Sequence, residues 1–405
     1  MNGGKQMNER TTSNSRLTVI DVMRGFAIFG ILVVNMPNFH SPAMYIETEQ
    51  WWPHAIDRWT ETVVDLIAQA SFYPLFAFLF GFSMILFRER MSEKGVSFPR
   101  IFSRRLLALF MIGAFHAFFI WYGDILIAYA LTGCLLLLFY RVHTRVWFIG
   151  AILCFFVPHL IVSLFLGLAL LSGENGELSS NHARLADEAI QHYRDGTVVE
   201  IFWQRWHDWM YINGAGGLLF TILTLLGIGL FGGYVAQKQW FTCIEQHVGT
   251  IRRLCLIAFI TGILLKLLPY FTEKNLLTEY VQDIFGGTAL ALFYAAAIVL
   301  LFQRERWRKV LLPFAAVGRM SLTNYLFQSV VCTMLFYHYG FALYGSVRPF
   351  YGELIAIVIY VVQVIASQRW LQSFRMGPFE WVWRTITYGK KQPLKHRVSK
   401  QKSHS

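Results

Sequence analysis

Charge is what this 405-residue sequence has least of: 15% of its residues are charged, against 55% hydrophobic and 17% aromatic. A chain so poor in charge cannot keep its whole surface in water. Its apolar residues gather in stretches long enough to cross a hydrocarbon core of roughly 30 Å, so the expected class is all-α, a polytopic membrane protein. Cysteine is sparse as well. Cys134, Cys154, Cys243, Cys255 and Cys332 fall in or beside apolar stretches without C-x-x-C spacing, which excludes a disulfide framework and a cysteine zinc site. No metal is expected. The net charge of +12 has no soluble basic block to hold it. Lys and Arg are spread through short loops, which argues against a nucleic-acid partner and for a topological role. An internal repeat is also lacking, and with it the sequence sign of a transporter built from inverted halves. The first apolar stretch, 17–36, follows a basic tail with Lys5, Arg10 and Arg16. It is too long for a signal-peptide core and ends without a small-residue cleavage site, so a retained first helix is expected.

Comparable apolar stretches recur at 62–87, 106–121, 125–140, 146–171, 214–236, 254–270, 285–302, 319–337 and 351–366, ten in all with the first. The loops between them alternate in sign. Glu47, Glu49 and Asp57 follow the first stretch, while Arg88, Arg90, Lys94, Arg100, Arg104 and Arg105 follow the second. Arg141 and Arg145, then Lys238, Arg252 and Arg253, then Arg304, Arg306, Arg308 and Lys309, and last the tail from Arg369, all fall on the side of the N-terminus. Positive charge marks cytoplasmic loops, so about ten transmembrane helices are expected in the bacterial cell membrane with both termini cytoplasmic. The organisation is a cytoplasmic tail (1–16), a five-helix half (17–171), an outer loop with interfacial helices (172–213), a second five-helix half (214–375), and an interfacial helix with a basic tail (376–405).

Two outer segments are more than turns. Trp51, Trp52, Pro53 and His54 form an aromatic cluster at headgroup level. In 172–213, Leu185, Ala189 and Tyr193 repeat at helical spacing up to Gly196, and Trp203, Trp206 and Trp209 recur every third residue beyond it. This fits a surface helix that lids a cavity or simply anchors in the interface. At the C-terminus MGPFEWVWR reads as a helix in the inner interface started by Pro378. The tail from Lys390, with Lys391, Lys395, Arg397, Lys400 and Lys402, has little to bury and is expected without structure, drawn to anionic lipid.

Three clusters can carry chemistry. In 17–36, Asp21, Arg24 and Asn35 interrupt an apolar run. At about 100° per residue Arg24 and Asn35 point within roughly 20° of each other, with Asp21 about 40° to their other side, so one face carries all three. A charge near the bilayer centre costs at least roughly 2.5–3.5 kcal/mol, so that face should look inward, onto a lined cavity or onto an Asp21–Arg24 pair at the rim. The second cluster places Arg104 and Arg105 at the inner end of a helix, His116 near its outer end and Asp124 just past Gly123. An imidazole can take a proton at ordinary pH, and a nearby carboxylate can fix its tautomer and raise its basicity. The alternatives are an N-cap for Asp124 and an interhelical hydrogen bond for His116. The third cluster, VGRMSLTNYLFQS, sets Asn324 and Gln328 one turn apart, with Tyr325 between them and Arg319 at the inner end. Its amides line a substrate path or serve as packing bonds, and Arg319 is part of a site or only topogenic.

The stretches DVMRGFAIFGILVVNM, FYPLFAFLFG, RRLLALFMIGAFHAFFIWYGDILIAYALTG, GRMSLTNYLFQSVVCTMLFYHYG and GPFEWVWRTITYG resemble the successive signatures of the YeiB-like bacterial membrane proteins. That family is similar to transmembrane acyltransferases, among them heparan-alpha-glucosaminide N-acetyltransferase and the enzymes that O-acetylate surface polysaccharides. Those enzymes share an RG-A pattern in the first helix, here Arg24, Gly25 and Ala27. Eleven residues after the Arg the polysaccharide enzymes carry a His. This chain has Asn35 there, as the heparan enzyme does, and the heparan enzyme takes its catalytic His from the following loop, where this chain has His40 and His54. The resemblance implies acyl-CoA as co-substrate and acyl transfer as the reaction.

Combined with the residues, this gives an expected layout. Arg24, Arg104, Arg105 and Arg319 gather at the cytoplasmic level to hold the phosphates of acyl-CoA, since planar guanidinium forks bond phosphate bidentately. Asn35, His116 and Asp124 lie toward the outer half as the catalytic set, and Asp21, Asn324, Tyr325 and Gln328 contact substrate, a carbohydrate, lipid or small-molecule acceptor. The alternatives are a small-solute transporter coupled to protons through His116 and Asp124, and a non-catalytic scaffold. Reporter fusions placed within 173–180 and at the C-terminus are expected to report opposite sides of the membrane; reports from the same side would overturn this topology.

Overall fold

Helix dominates the computed structural model, which describes residues 3–172, 183–214 and 216–396. In chain order the helices are α1 (Gly3–His40), α2 (Ala55–Ile67), α3 (Phe72–Glu93), α4 (Phe98–Ile120), α5 (Leu126–Phe139), α6 (Thr144–Leu171), α7 (Ala183–Ile190) and α8 (Val198–Asn213). They continue with α9 (Gly217–Gln237), α10 (Ile244–Lys266), α11 (Leu276–Phe302), α12 (Glu305–Arg319), α13 (Ser321–Phe336), α14 (Pro349–Ser373) and α15 (Pro378–Tyr388). Among the described residues eight helices are long and apolar enough to cross a membrane: Thr18–His40 of α1, the tandem Ala55–Glu93, α4, α6, α9, α10, α11 and α14. The pair α12 and α13, bent by 80° at Met320, passes the same test jointly, and α5 is a shorter apolar helix. The molecule is a multi-pass membrane protein.

Eight of the ten apolar stretches coincide largely with a single helix; 62–87, expected as one helix, crosses the break at 68–71 between α2 and α3, and 254–270 runs past the end of α10. Two features were not visible in the apolar pattern. α4 begins at Phe98 rather than near 106, because Arg100, Arg104 and Arg105 dilute its first turns. α12 lies in what reads as a basic loop, because Arg306, Arg308 and Lys309 mask the apolar face of an amphipathic helix.

Glycine allows the tightest packing. A Cβ on Gly25 of α1 would stand 2.0 Å from Phe314 O, and one on Gly318 of α12 would stand 1.8 Å from Asp21 O. α3 and α9 meet in the same way: a Cβ on Gly232 would lie 2.0 Å from Phe78 O. Without a hydrophobic drive between helices in lipid, such close backbone approach supplies much of the packing. α1 sits at the middle, with Val22, Met23, Ala27 and Met36 inaccessible. Leu160 and Leu164 of α6 and Leu256 and Leu264 of α10 stay exposed, as a bilayer-facing surface requires.

Polar contacts tie off both ends. At the basic end Arg88 donates to Tyr140 O at 2.7 Å and Thr144 to Gln237 at 2.8 Å. At the far end Gly345 N donates to His40 O at 2.7 Å and His338 N to Tyr193 O at 2.7 Å. The expected helix ending at Gly196 is present, followed by α8, which a Thr197–Glu200 capping box starts. α8 roofs the far end. Arg205 donates to Phe119 O at 2.9 Å, and Trp206 and Trp209 pack on Phe118. Buried Asp208 accepts from Tyr45 at 2.7 Å, Gln204 at 2.8 Å and Tyr193; burial pushes its carboxyl up while these donors pull it back down.

The C-terminal tail departs from expectation. Residues 390–396 are folded back on the end of α14, with Arg375 N on Leu394 O at 2.8 Å, Trp381 Nε1 on Gln392 O at 2.7 Å, and a β-bridge between Phe374 and Lys395. Backbone pairing, which composition does not reveal, orders this piece. Arg397, Lys400 and Lys402 lie outside the described residues.

Gly318→Val should force α12 away from α1 and cost about 1–3 kcal/mol, the usual range for overpacking. Gly249→Val is the control, because a Cβ there meets nothing within 4 Å. Thermal unfolding in detergent checks this: a clear drop in midpoint for Gly318→Val alone is expected, and equal drops would contradict the packing described.

Candidate functional site

Arg24 on α1 pairs with Asp21 at 3.0 Å and donates to Ser83 of α3, while 29% of its side chain stays exposed. It lines a cavity of about 130 Å³ together with Arg105 of α4, Arg319 of α12, and Glu380, Trp383 and Arg384 of α15. Three of the four arginines expected at this level therefore converge. Arg104 does not: it is exposed and points toward Gly389. The Arg105 guanidinium lies 3.9 Å from the Trp383 ring centre, a cation–π contact, and Trp383 Nε1 donates to Arg105 O at 2.8 Å.

The 80° break at Met320 explains why α15 is here. A helix that starts inside a bundle leaves backbone N–H groups without acceptors. Glu380 supplies them: Oε1 accepts Leu322 N at 2.7 Å and Thr323 N at 3.0 Å, and Oε2 accepts the Thr323 hydroxyl. Burial pushes the Glu380 carboxyl up, and the bonds from Thr323 and Leu322 pull it down. Ser83, Glu380 and Arg384 were missed by sequence reasoning. Only the fold brings α15, expected as a plain interfacial anchor, under α13.

Above this cavity lies a chain of three side chains. His116 opens the π-helical last turn of α4, His116–Ile120, a kind of irregularity often found at functional sites. Its Nδ1 is 2.9 Å from Asp124 Oδ1 and its Nε2 is 2.8 Å from Ser329 Oγ of α13. His116 is fully buried and Ser329 is 1% exposed. The other Asp124 oxygen accepts Ile127 N at 2.9 Å, so one carboxylate caps α5 and orients the imidazole at once. With Asp124 as acceptor, Nδ1 carries the ring hydrogen and Nε2 faces Ser329 as a base. Tyr325 covers the ring at 5.0 Å between centroids and donates to Gly123 O at 3.2 Å. Ser329 was not singled out in the sequence, where it closes the third cluster one residue after Gln328.

Asn35 lies on the far side. It lines a second cavity of about 190 Å³ with Asp124, Tyr73, Tyr122 and, from α8, Ile212 and Asn213. α8 thus covers this cavity. Ile31 and Ile125 line both cavities, Asp124 lines only the second, and His116 and Ser329 line neither. Asn324 and Gln328 line neither. Asn324 donates to Ser367 Oγ and Met320 O, both at 3.0 Å, and Gln328 to Gln363 at 2.9 Å, while Gln363 returns a bond to Asn324 O at 2.9 Å. This network binds α13 to α14, as the packing alternative has it. His40 is buried with neither ring nitrogen partnered among the described residues, and His54 is exposed at the start of α2. Among the described residues no group of three or more His, Cys, Asp or Glu is placed to hold a metal.

Residues 235–390 match the family described as "Protein of unknown function (DUF418)". The chain is 38% identical over 402 residues to "Uncharacterized protein YxaH" of Bacillus subtilis (strain 168), covering 95% of this chain and 97% of that protein. It is 30% identical over 388 residues to "Uncharacterized 39.9 kDa protein in amylase 3'region" of Bacillus acidopullulyticus, covering 94% and 96%. It is also 30% identical over 399 residues to "Uncharacterized protein YeiB" of Escherichia coli (strain K12), covering 92% and 96%. The chain belongs to the YeiB-like family.

Proposed function

We propose that this member of the YeiB-like family is an integral-membrane acyltransferase with ten crossings and both termini cytoplasmic. It would take an acyl group from acyl-CoA at the basic end and pass it to a carbohydrate, lipid or small-molecule acceptor at the far end. One observation carries the reading: the buried Asp124–His116–Ser329 chain opens through Asp124 onto a cavity roofed by α8, and that cavity shares Ile31 and Ile125 with an arginine-lined one.

Arg24, Arg105, Arg319 and Arg384 offer bidentate donors to phosphate, and Asp21 fixes the direction of Arg24. The thioester end of the substrate would reach past Tyr325 toward His116. An acceptor hydroxyl or amine in the far cavity displaces Ser329 from Nε2, gives its proton to that nitrogen and attacks the acyl carbon. The carbon–sulfur bond breaks and the thiolate leaves, taking the proton back from the imidazolium. Asp124 holds the tautomer throughout and stabilises the imidazolium. Asn35 offers an amide donor to the oxyanion. In this reading Asn324 and Gln328 hold α13 rather than substrate. Anionic lipid remains the proposed partner of the terminal basic residues.

A proton-coupled transporter is the second reading, favoured by Lys266, which is fully buried beside Asp283 at 3.1 Å and Asp65 at 4.0 Å. Acyl-CoA binding to the purified protein separates the two, because a transporter of small solutes has no use for it. Replacing Arg24 or Arg319 by Gln removes a charge-assisted bond of about 1.5–3 kcal/mol and should weaken acyl-CoA binding by roughly tenfold or more. Absence of binding by the parent protein, or unchanged affinity in both variants, would contradict the assignment.

A further inference from the structure

A groove of about 460 Å³ runs between α2 and α14 along α1, lined by Phe26, Val33, Val63, Ile67, Leu354 and Ile357 among others. At its far-end rim the two helices are clasped. Arg348 donates to Asp57 Oδ2 from Nε at 2.8 Å and from Nη2 at 2.7 Å, and Phe350 N donates to Oδ1 at 3.2 Å. Below the clasp the walls stay open to the bilayer: Ile67 is 53% exposed and Ile357 46%. Entry is therefore sideways, from lipid.

α2 divides this groove from a polar chamber of about 580 Å³. Ile56, Trp59, Val63 and Ile67 recur at helical spacing on its groove face, while Arg58, Glu61 and Asp65 line the chamber. The two spaces share Thr60, Val64 and Glu353. The chamber lining carries five carboxylates, Glu61, Asp65, Glu279, Asp283 and Glu353, against two cations, Arg58 and Lys274. Including Lys266, which Asp65 and Asp283 hold, the excess is still negative. Glu353 stands where the apolar groove meets this chamber, one turn into α14, and has neither an ion pair nor a hydrogen bond among the described residues. A carboxylate at an apolar border loses hydration and gains most from a cation brought to it.

We propose that groove and chamber together bind an amphiphile with a long alkyl chain and a cationic amine headgroup, the chain in the groove and the amine at Glu353. An anionic headgroup would meet net negative charge, and an uncharged hydroxyl would offer Glu353 a hydrogen bond without a matching charge. The proposal does not rest on acyl transfer, since its test contains no acyl donor.

The test is equilibrium binding of hexadecylamine, hexadecyl phosphate and hexadecanol to the full chain in detergent. Saturable binding of the amine, at least roughly tenfold tighter than either matched probe, is expected, since a charge-assisted bond is at stake. Glu353→Gln should lose roughly that preference and treat amine and alcohol alike. Ile67→Trp, which fills the groove, should weaken both. The phosphate or the alcohol binding the parent as tightly as the amine, no binding of the amine, or an undiminished preference in Glu353→Gln would each overturn the site. The probe comparison on the parent protein decides even where a variant fails to fold.

Discussion

Inside a bundle faced by hydrocarbon, a polar group that finds no partner is expensive, and Asp124 is where this protein concentrates its pairing. One of its oxygens holds His116 at the start of the π-helical turn of α4, and the other starts α5 through Ile127 N. His116 passes the connection on to Ser329, so α4, α5 and α13 meet at a single carboxylate. The cap and the base-orienting contact use different oxygens, and neither role weakens the other. Rigid positioning of an imidazole in a dry interior is what acid–base chemistry there requires.

A second constraint arises from the broken helix. The bend at Met320 lets α12 lie along α1 through Gly25 and Gly318 and turns α13 toward the centre with unpaired N–H groups. Glu380 answers those groups from α15, and the same helix delivers Trp383 and Arg384 to the arginine cavity. The helix that satisfies this start thus adds one of the four arginines of the cavity, the others coming from α1, α4 and α12. One of these arginines stacks on an indole, and Arg24, though held by Asp21 and Ser83, keeps 29% of its side chain exposed.

Much of this was legible in the sequence, for reasons that can be named. The apolar stretches mark helices because spanning lipid demands length, and Gly196 and Pro378 mark a stop and a start because their backbone chemistry is local. The Asp21–Arg24 pair follows from spacing on one helix, and the His116–Asp124 contact from a short hairpin. Ser329, Ser83 and Glu380 were hidden because their partners lie 213, 59 and at least 57 positions away. α12 was hidden because a basic run and an apolar face share the same residues. Asn324 and Gln328 look alike in sequence whether they face a substrate or Gln363 and Ser367, and only geometry separates the two.

The central claim is that His116 is the base for acyl transfer, and its most direct test is release of CoA thiol from acyl-CoA by purified protein with a mixed pool of glycan and lipid acceptors. The account predicts that His116→Ala binds acyl-CoA as the parent does and releases thiol slower by a factor on the order of 10²–10⁴. A His116→Ala protein that releases thiol at the parental rate would contradict it and shift attention to unpartnered His40.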